Sequence, residues 1–333
     1  MTLPFADTNF AEATWILVVK SIVIFAVIFA IVPVLTVVER KVLGRFQARY
    51  GPNRVGPYGL MQPLADAVKL VTKEHYRPRN AIPILWPIAP ALVVFTGVAT
   101  LAILPFGDVK DGVGFYGIDV PIGILYFFAF GSIAFYGLLL GGWASGSKYS
   151  FLGAMRAAAQ LISYEISMGL ALLGAIMMAG SLSLVSIVEA QHQVWYILPQ
   201  FVGFLIFMVA GFAETNRAPF DLPEADAELV AGYGTEYGGM RYGSYAMAEY
   251  IEMFVISGVA VTFFLGGWHG PGPGWLDPIW VIVKIFAFLF LFMWIRATLP
   301  RVRYDQLMSL GWKVLLPLAT LNVLVTAVLV TVT

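Results

Sequence analysis

Cysteine is absent from this 333-residue sequence, which excludes disulfides, thiolate nucleophiles and iron–sulfur clusters held by the chain's own residues. Histidine is nearly absent: His75, His192 and His269 are the only three, and their wide separation offers none of the local spacings of a metal site. No haem or metal bound by this chain is expected. Charge is scarce as well. Asp, Glu, Lys and Arg make up 12% of the residues, against about a quarter in a soluble domain. Net charge is zero, so no bulk attraction to nucleic acid is implied. The opening MTLPFADTNFAEATW has no lysine or arginine, hence neither the basic n-region of a secretory signal nor the arginines of a transit peptide, and the first apolar segment is expected to be retained.

What the chain has instead is hydrocarbon, 59% of its residues. Eight segments are apolar and long enough to cross ~30 Å of lipid as helices: Trp15 to Val38, Pro83 to Pro105, Pro121 to Gly142, Gly153 to Ala179, Trp195 to Ala213, Ser244 to Gly267, Ile279 to Ile295 and Trp312 to Val332. The runs are continuous rather than alternating, which favours helices over a barrel. The expected fold is an all-α polytopic membrane protein forming one membrane domain over residues 1–333. Seventeen of the twenty cations fall in or at the edge of the loops after spans one, three, five and seven, Arg156 and Lys313 standing just inside spans four and eight. By the positive-inside rule those loops are cytoplasmic and both termini face outward.

The cytoplasmic loop 39–82 begins with a region broken by Gly51, Pro52, Gly56, Pro57 and Gly59. It continues into an amphipathic helix, with Leu60, Leu64, Ala67, Val68 and Val71 on one side and Gln62, Asp66, Lys69 and Lys73 on the other. That helix would lie on the bilayer or against a partner. Glu165 sits ~16 Å into span four at ~1.5 Å per residue, near mid-membrane. A carboxylate there is a functional candidate by default, or a neutral acid hydrogen-bonded between helices. Glu249 and Glu252 enter span six three residues apart, a spacing that favours a shared proton because two ionised carboxylates would repel. Lys284, inside span seven, would pair with an interior acid or snorkel outward.

The acidic loop 214–243 belongs to the densest cluster of charge. Between Glu214 and Glu252 stand eight of the twenty carboxylates, with Arg217 and Arg241 as the only cations. The loop's aromatic and apolar anchors, among them Phe220, Tyr233 and Tyr237, argue against disorder. Set beside the basic loops, it suggests a chamber of opposed charges suited to a ligand with a polar head and a greasy tail.

Four long stretches carry a family likeness: VERKVLGRFQARYGPNRVGPYGLMQPLADAVKLVTKE, GWASGSKYSFLGAMRAAAQLISYE, AETNRAPFDLPEADAELVAGYGTEYGGMRYGSYAMAEY and WIRATLPRVRYDQLMSLGWKVLLPL. In this order they resemble the H-subunit family of NADH-quinone oxidoreductase, respiratory complex I, whose mitochondrial counterpart is NADH dehydrogenase subunit 1. The resemblance implies a membrane component of a proton-pumping enzyme, with no redox centre of its own, in the bacterial cytoplasmic (inner) membrane. Its implied partners are other membrane-arm subunits, the iron–sulfur and quinone-site subunits of the hydrophilic arm, the lipid bilayer, and quinone (ubiquinone or menaquinone) as substrate. Carried over by position, the quinone chamber would involve Glu39, Arg40, Arg49, Asp66, Lys69, Phe220, Glu224, Asp226, Glu228, Tyr250, Arg296 and Arg301. The proton path would involve Glu165, Glu214 and Glu249, with Glu252 added from helix spacing. Asp226 stands where many relatives have glutamate, and Pro223 where many have Thr or Ala. Other readings are the equivalent component of a membrane-bound hydrogenase and a stand-alone proton-coupled transporter. The transporter would show inverted repeats, which the two halves of this chain do not. A purely structural anchor would leave Glu165 and Glu249 without a role.

Overall fold

The computed structural model describes residues 14–110, 113–222 and 230–332. Its first helix, α1 (Thr14–Phe46), runs 33 residues and is followed by the short amphipathic α2 (Gln62–Thr72). Then come α3 (Leu85–Leu101), a two-stranded antiparallel hairpin of β1 (Pro105–Lys110) and β2 (Val113–Tyr116), α4 (Gly123–Ala144) and α5 (Lys148–Ala179). The chain continues through α6 (Leu184–Ala190), α7 (Phe201–Glu214), α8 (Met240–Phe264), α9 (Asp277–Thr298) and α10 (Tyr304–Val332). One π-helical turn, Gly311–Leu315, interrupts α10.

Six of these helices, α1, α4, α5, α8, α9 and α10, are long and apolar enough to cross a membrane. The protein is a multi-pass, nearly all-helical membrane protein, but two of the eight expected spans are shorter than anticipated. α3 has 17 residues and stops at Leu101, because the chain turns at Ala102 and Ile103 and Pro105 opens the hairpin. α7 has only 14 residues, ~21 Å at ~1.5 Å per residue. The stretch 196–200 is a turn rather than helix, as expected where Pro199 disfavours the helical conformation of the residue before it. α5 is longer than the sequence suggested, starting at Lys148 and ending on Gly180 in the left-handed conformation (φ 67°). Glu165 is therefore ~26 Å from the start of α5 rather than ~16 Å.

α8 forms the centre of the bundle. Every residue from Met253 to Phe264 is buried, so the helix is apolar all round where others surround it. α7 reaches it closely because Gly211 faces Ile256, where a Cβ would come within 2.7 Å of the isoleucine side chain. α5 packs against α4, α7 and α10, and α3 against α4 and α8. α2 differs: none of its residues is buried, and Leu64, Val68 and Val71 present an uncovered apolar face.

Polar side chains fix the end of the bundle where α8 passes into α9. Gln191 is completely buried. Its amide donates to Ile187 O (3.1 Å) and Thr262 O (2.7 Å), and its oxygen accepts from Tyr196 N (3.2 Å) and Gly266 N (3.1 Å). Lys284 neither meets an acid nor snorkels freely. Its ammonium donates to Leu265 O, Gly267 O and His269 O at 2.7–2.8 Å and lies 4.5 Å from the Trp195 ring centroid. The fold also brings His192 and His269, far apart in sequence, edge to face at 5.3 Å. Among the described residues no group of three or more His, Cys, Asp or Glu is placed to hold a metal.

Two outcomes follow from this end of the bundle. Gln191→Leu strands two buried carbonyls and two buried amides, and should cost about 2–4 kcal/mol, seen as a lower unfolding temperature of the purified protein; an unchanged temperature would contradict the clamp. His269 titrates low because burial, then His192 and Lys284, disfavour its charged form against the opposing hydrogen bond to Val188 O. A depressed imidazole contributes stability above the unfolded value of ~6.5 and loses it as pH falls below that. Thermal stability should drop on acidification from that point, and the drop should be smaller in His269→Gln.

Candidate functional site

The opposite end of the bundle holds the charged residues singled out from sequence, and the fold sorts them into separate groups. Glu39, in the last two turns of α1, is 2% exposed. It accepts from two arginines of distant origin. Arg217 Nη1, just past α7, bonds Oε2 at 2.7 Å, and Arg296 Nη1, in the last turn of α9, bonds Oε1. Arg217 is itself buried, with Glu249 Oε2 3.8 Å from its Nη2 and the Tyr250 ring centroid 4.0 Å from its guanidinium carbon. Tyr233 OH donates to the other side of Glu249, at 3.2 Å from Oε1. Burial works against a charged guanidinium, but Glu39, then Tyr250 and Glu249, outweigh it and hold the Arg217 pKa above its ordinary value.

A second group lies deeper. A cavity of about 40 Å³ is lined by Glu165, Glu214 and Glu252, together with Thr96, Thr100, Gly131 and aromatic rings of α4. It is large enough for a water molecule. Glu165 accepts from Ser132 Oγ on α4 at 2.8 Å. Glu214, the last residue of α7, is 6% exposed, and its Oε2 has no partner among the described residues. The Glu249 and Glu252 pair is thus divided. Three residues advance ~300° around a helix, so the two carboxylates diverge by ~60°. Glu249 turns to Arg217 and Tyr233, Glu252 to the cavity.

The other sequence-derived candidates stand apart from both groups. Arg40 pairs with Asp66 at 2.6 Å on the surface, joining α1 to α2, and Gln62 also donates to Asp66 at 3.1 Å. Arg49 bonds Gln47 and is exposed, as are Lys69 and Arg301. Phe220 is buried 6.2 Å from the Tyr164 ring, centroid to centroid. Glu224, Asp226 and Glu228 lie outside the described residues. A separate apolar cavity of about 560 Å³ lies between α1, the hairpin, α8 and α9, bounded by Trp15, Val23, Phe115 and Phe286 among others, and none of the carboxylates lines it.

Sequence reasoning did not pair Arg217, Tyr233 or Ser132 with these carboxylates. Arg217 carried a signal, being one of two cations among eight acids. Ser132 carried none, and Tyr233 stood out only as an anchor of the acidic loop, because their partners Glu165 and Glu249 lie 33 and 16 residues away.

Fold and site together define a multi-pass membrane protein with an arginine-bridged carboxylate at one end and a connected set of acids in its interior. Residues 19–327 match the family model for NADH dehydrogenase. The chain is 52% identical over 315 residues to the first of the numbered H subunits of NADH-quinone oxidoreductase in Geobacter metallireducens, covering 92% of this chain and 94% of the relative. It is 53% identical over 312 residues to the second such H subunit of Geobacter sulfurreducens, with the same coverage, and 49% identical over 326 residues to the second of Syntrophobacter fumaroxidans, covering 96% and 97%. The chain belongs to the H-subunit family of NADH-quinone oxidoreductase, and is thus a membrane component of a multi-subunit electron-transport enzyme.

Glu39→Gln leaves two guanidiniums side by side, with the longer 3.8 Å contact of Arg217 to Glu249 left to offset them. Breaking a buried pair in this way costs ~3–5 kcal/mol, and Arg217→Met alone should cost a comparable amount. The joint replacement Glu39→Gln with Arg217→Met should cost clearly less than the sum of the single ones. Thermal unfolding of the four proteins reads the coupling, and strict additivity would show that the pair is not one unit.

Proposed function

We propose that the Glu39, Arg217, Arg296 and Glu249 cluster borders a quinone chamber, and that quinone reduction in a neighbouring subunit is converted here into movement of protons through Glu252, Glu214 and Glu165. The observation that carries this reading is the continuity of the two groups. Glu249 touches the arginine that Glu39 holds, and Glu252, one helical turn on, shares a cavity with Glu214 and Glu165. The relatives' names supply the electron acceptor, a quinone. In this reading the loops 39–82 and 214–243 face the cytoplasm, where the hydrophilic arm docks, and both termini face outward. Arg40, Arg49, Asp66, Lys69 and Arg301 lie on that same side, at the mouth, and Glu224, Asp226 and Glu228 complete the acidic loop.

Magnitudes make the conversion physically sound. A unit charge gained or lost ~4 Å from a carboxylate is worth ~4 kcal/mol at an effective dielectric constant of ~20. That alters the carboxylate's protonated fraction by a factor of about a thousand. Closely spaced acids titrate as a set, so a proton displaced at Glu249 is redistributed to Glu252 and onward. Arg217 stays charged throughout and serves as the fixed positive pole.

Glu165→Gln preserves shape and the contact with Ser132 while removing the titratable group. The complex should assemble normally, and proton translocation in reconstituted vesicles should fall about tenfold or more, as for loss of a group acting in proton transfer. Undiminished translocation would reject the path. Imaging the complex with a quinone-site inhibitor supplies the second check, with density expected between Arg40, Phe220 and Arg296.

A further inference from the structure

Gln160 lies five residues before Glu165 on α5 and is completely buried. Its Nε2 donates to two backbone carbonyls, Ala213 O at 2.6 Å and Phe220 O at 2.9 Å. A primary amide has two N–H groups, so each carbonyl takes one. Ala213 is in the last turn of α7, and its carbonyl also accepts from Asn216 N at 3.3 Å, as that of Phe220 does from Leu222 N at 3.0 Å, so Gln160 adds a side-chain tie to the turn's own backbone bonds. Phe220 comes after the turn that follows. The eight-residue stretch 213–220 that Gln160 ties at both ends contains Glu214 of the cavity and Arg217 of the arginine cluster.

The amide is not there for packing. Its Oε1 is buried without a partner among the described residues, an unfavourable arrangement that a leucine of similar volume would avoid. What the glutamine supplies that leucine cannot is the pair of donors. Neighbouring residues reinforce the same junction. Pro219 O accepts from Val302 N at 3.0 Å, Tyr164 OH donates to Leu307 O at 2.9 Å, and Ser163 Oγ accepts from Trp312 Nε1 at 3.1 Å. This stretch of α5 therefore holds the end of α7, the root of the acidic loop and α10.

We propose that Gln160 is the positioning residue that latches the root of the acidic loop to the helix carrying Glu165. A displacement of Arg217 must stretch one or both of its hydrogen bonds, which transmits the displacement to α5. Gln160 touches neither carboxylate and acts through the backbone of residues 213–220. The role in coupling rests on the function proposed above, whereas the latch itself does not.

The test uses the complete complex in lipid. Gln160→Leu removes both donors at similar volume, and Gln160→Asn keeps the amide but is too short by one methylene to reach both carbonyls. Backbone hydrogen exchange over residues 213–222 should accelerate about tenfold or more in the leucine variant, and by less in the asparagine variant. Protons translocated per quinone reduced should fall at least about twofold in Gln160→Leu, with the exchange of α5 itself unchanged. Unaltered loop exchange in both variants overturns the latch, and faster exchange with unaltered proton yield overturns its role in coupling. If the leucine variant fails to assemble, the asparagine variant carries the same readings. The two proposals fail separately: undiminished translocation in Glu165→Gln removes the proton path but leaves the exchange result standing.

Discussion

A single buried carboxylate with two cationic partners holds the charged end of this protein together. Glu39 comes from the first long helix, Arg296 from the end of α9, and Arg217 from the short turn after α7. No two of these segments are adjacent in sequence. Their meeting fixes where three helices end relative to one another. The arrangement is expensive to desolvate, yet each charge has at least one opposite partner, and Arg217 also has the face of Tyr250. Removing Glu39 takes the shared partner from both arginines, whereas removing the more exposed Arg296 still leaves the buried Glu39–Arg217 pair.

Much of the fold was legible because hydrocarbon runs of membrane length have few other uses. The positions of α1, α4, α5, α8, α9 and α10 followed from apolar continuity, to within several residues at their ends. Failures came where local chemistry overrode composition. Pro199 cost α7 its first turns, and the turn at Ala102 and Ile103 ended α3 ahead of a hairpin that no strong strand signal announced. Lys284 could not be assigned from sequence because its partners are backbone carbonyls, which every residue possesses.

The site was legible in its members more than in its pairings. Acids stood out because they are scarce in a hydrophobic chain, so Glu165, Glu214, Glu249 and Glu252 could be named from the residues alone, whereas Glu39 came from the family resemblance. Which of them face each other was hidden. Residues 39 and 217 are separated by 178 positions, and no periodicity spans that distance. At one place helix spacing supplied the neighbours but not their surroundings: Glu249 and Glu252 stand one turn apart as expected, yet Glu249 lies against Arg217 and Tyr233 while Glu252 lines the cavity.

The shortness of α7 has a further meaning. At 14 residues, ~21 Å, it falls about 9 Å short of a ~30 Å hydrocarbon layer. Backbone beyond such a short helix keeps its polar groups satisfied away from water only with partners from the protein. The chain after Glu214 has them: α5 supplies the Gln160 amide to the carbonyls of Ala213 and Phe220, so the acidic loop is rooted in protein.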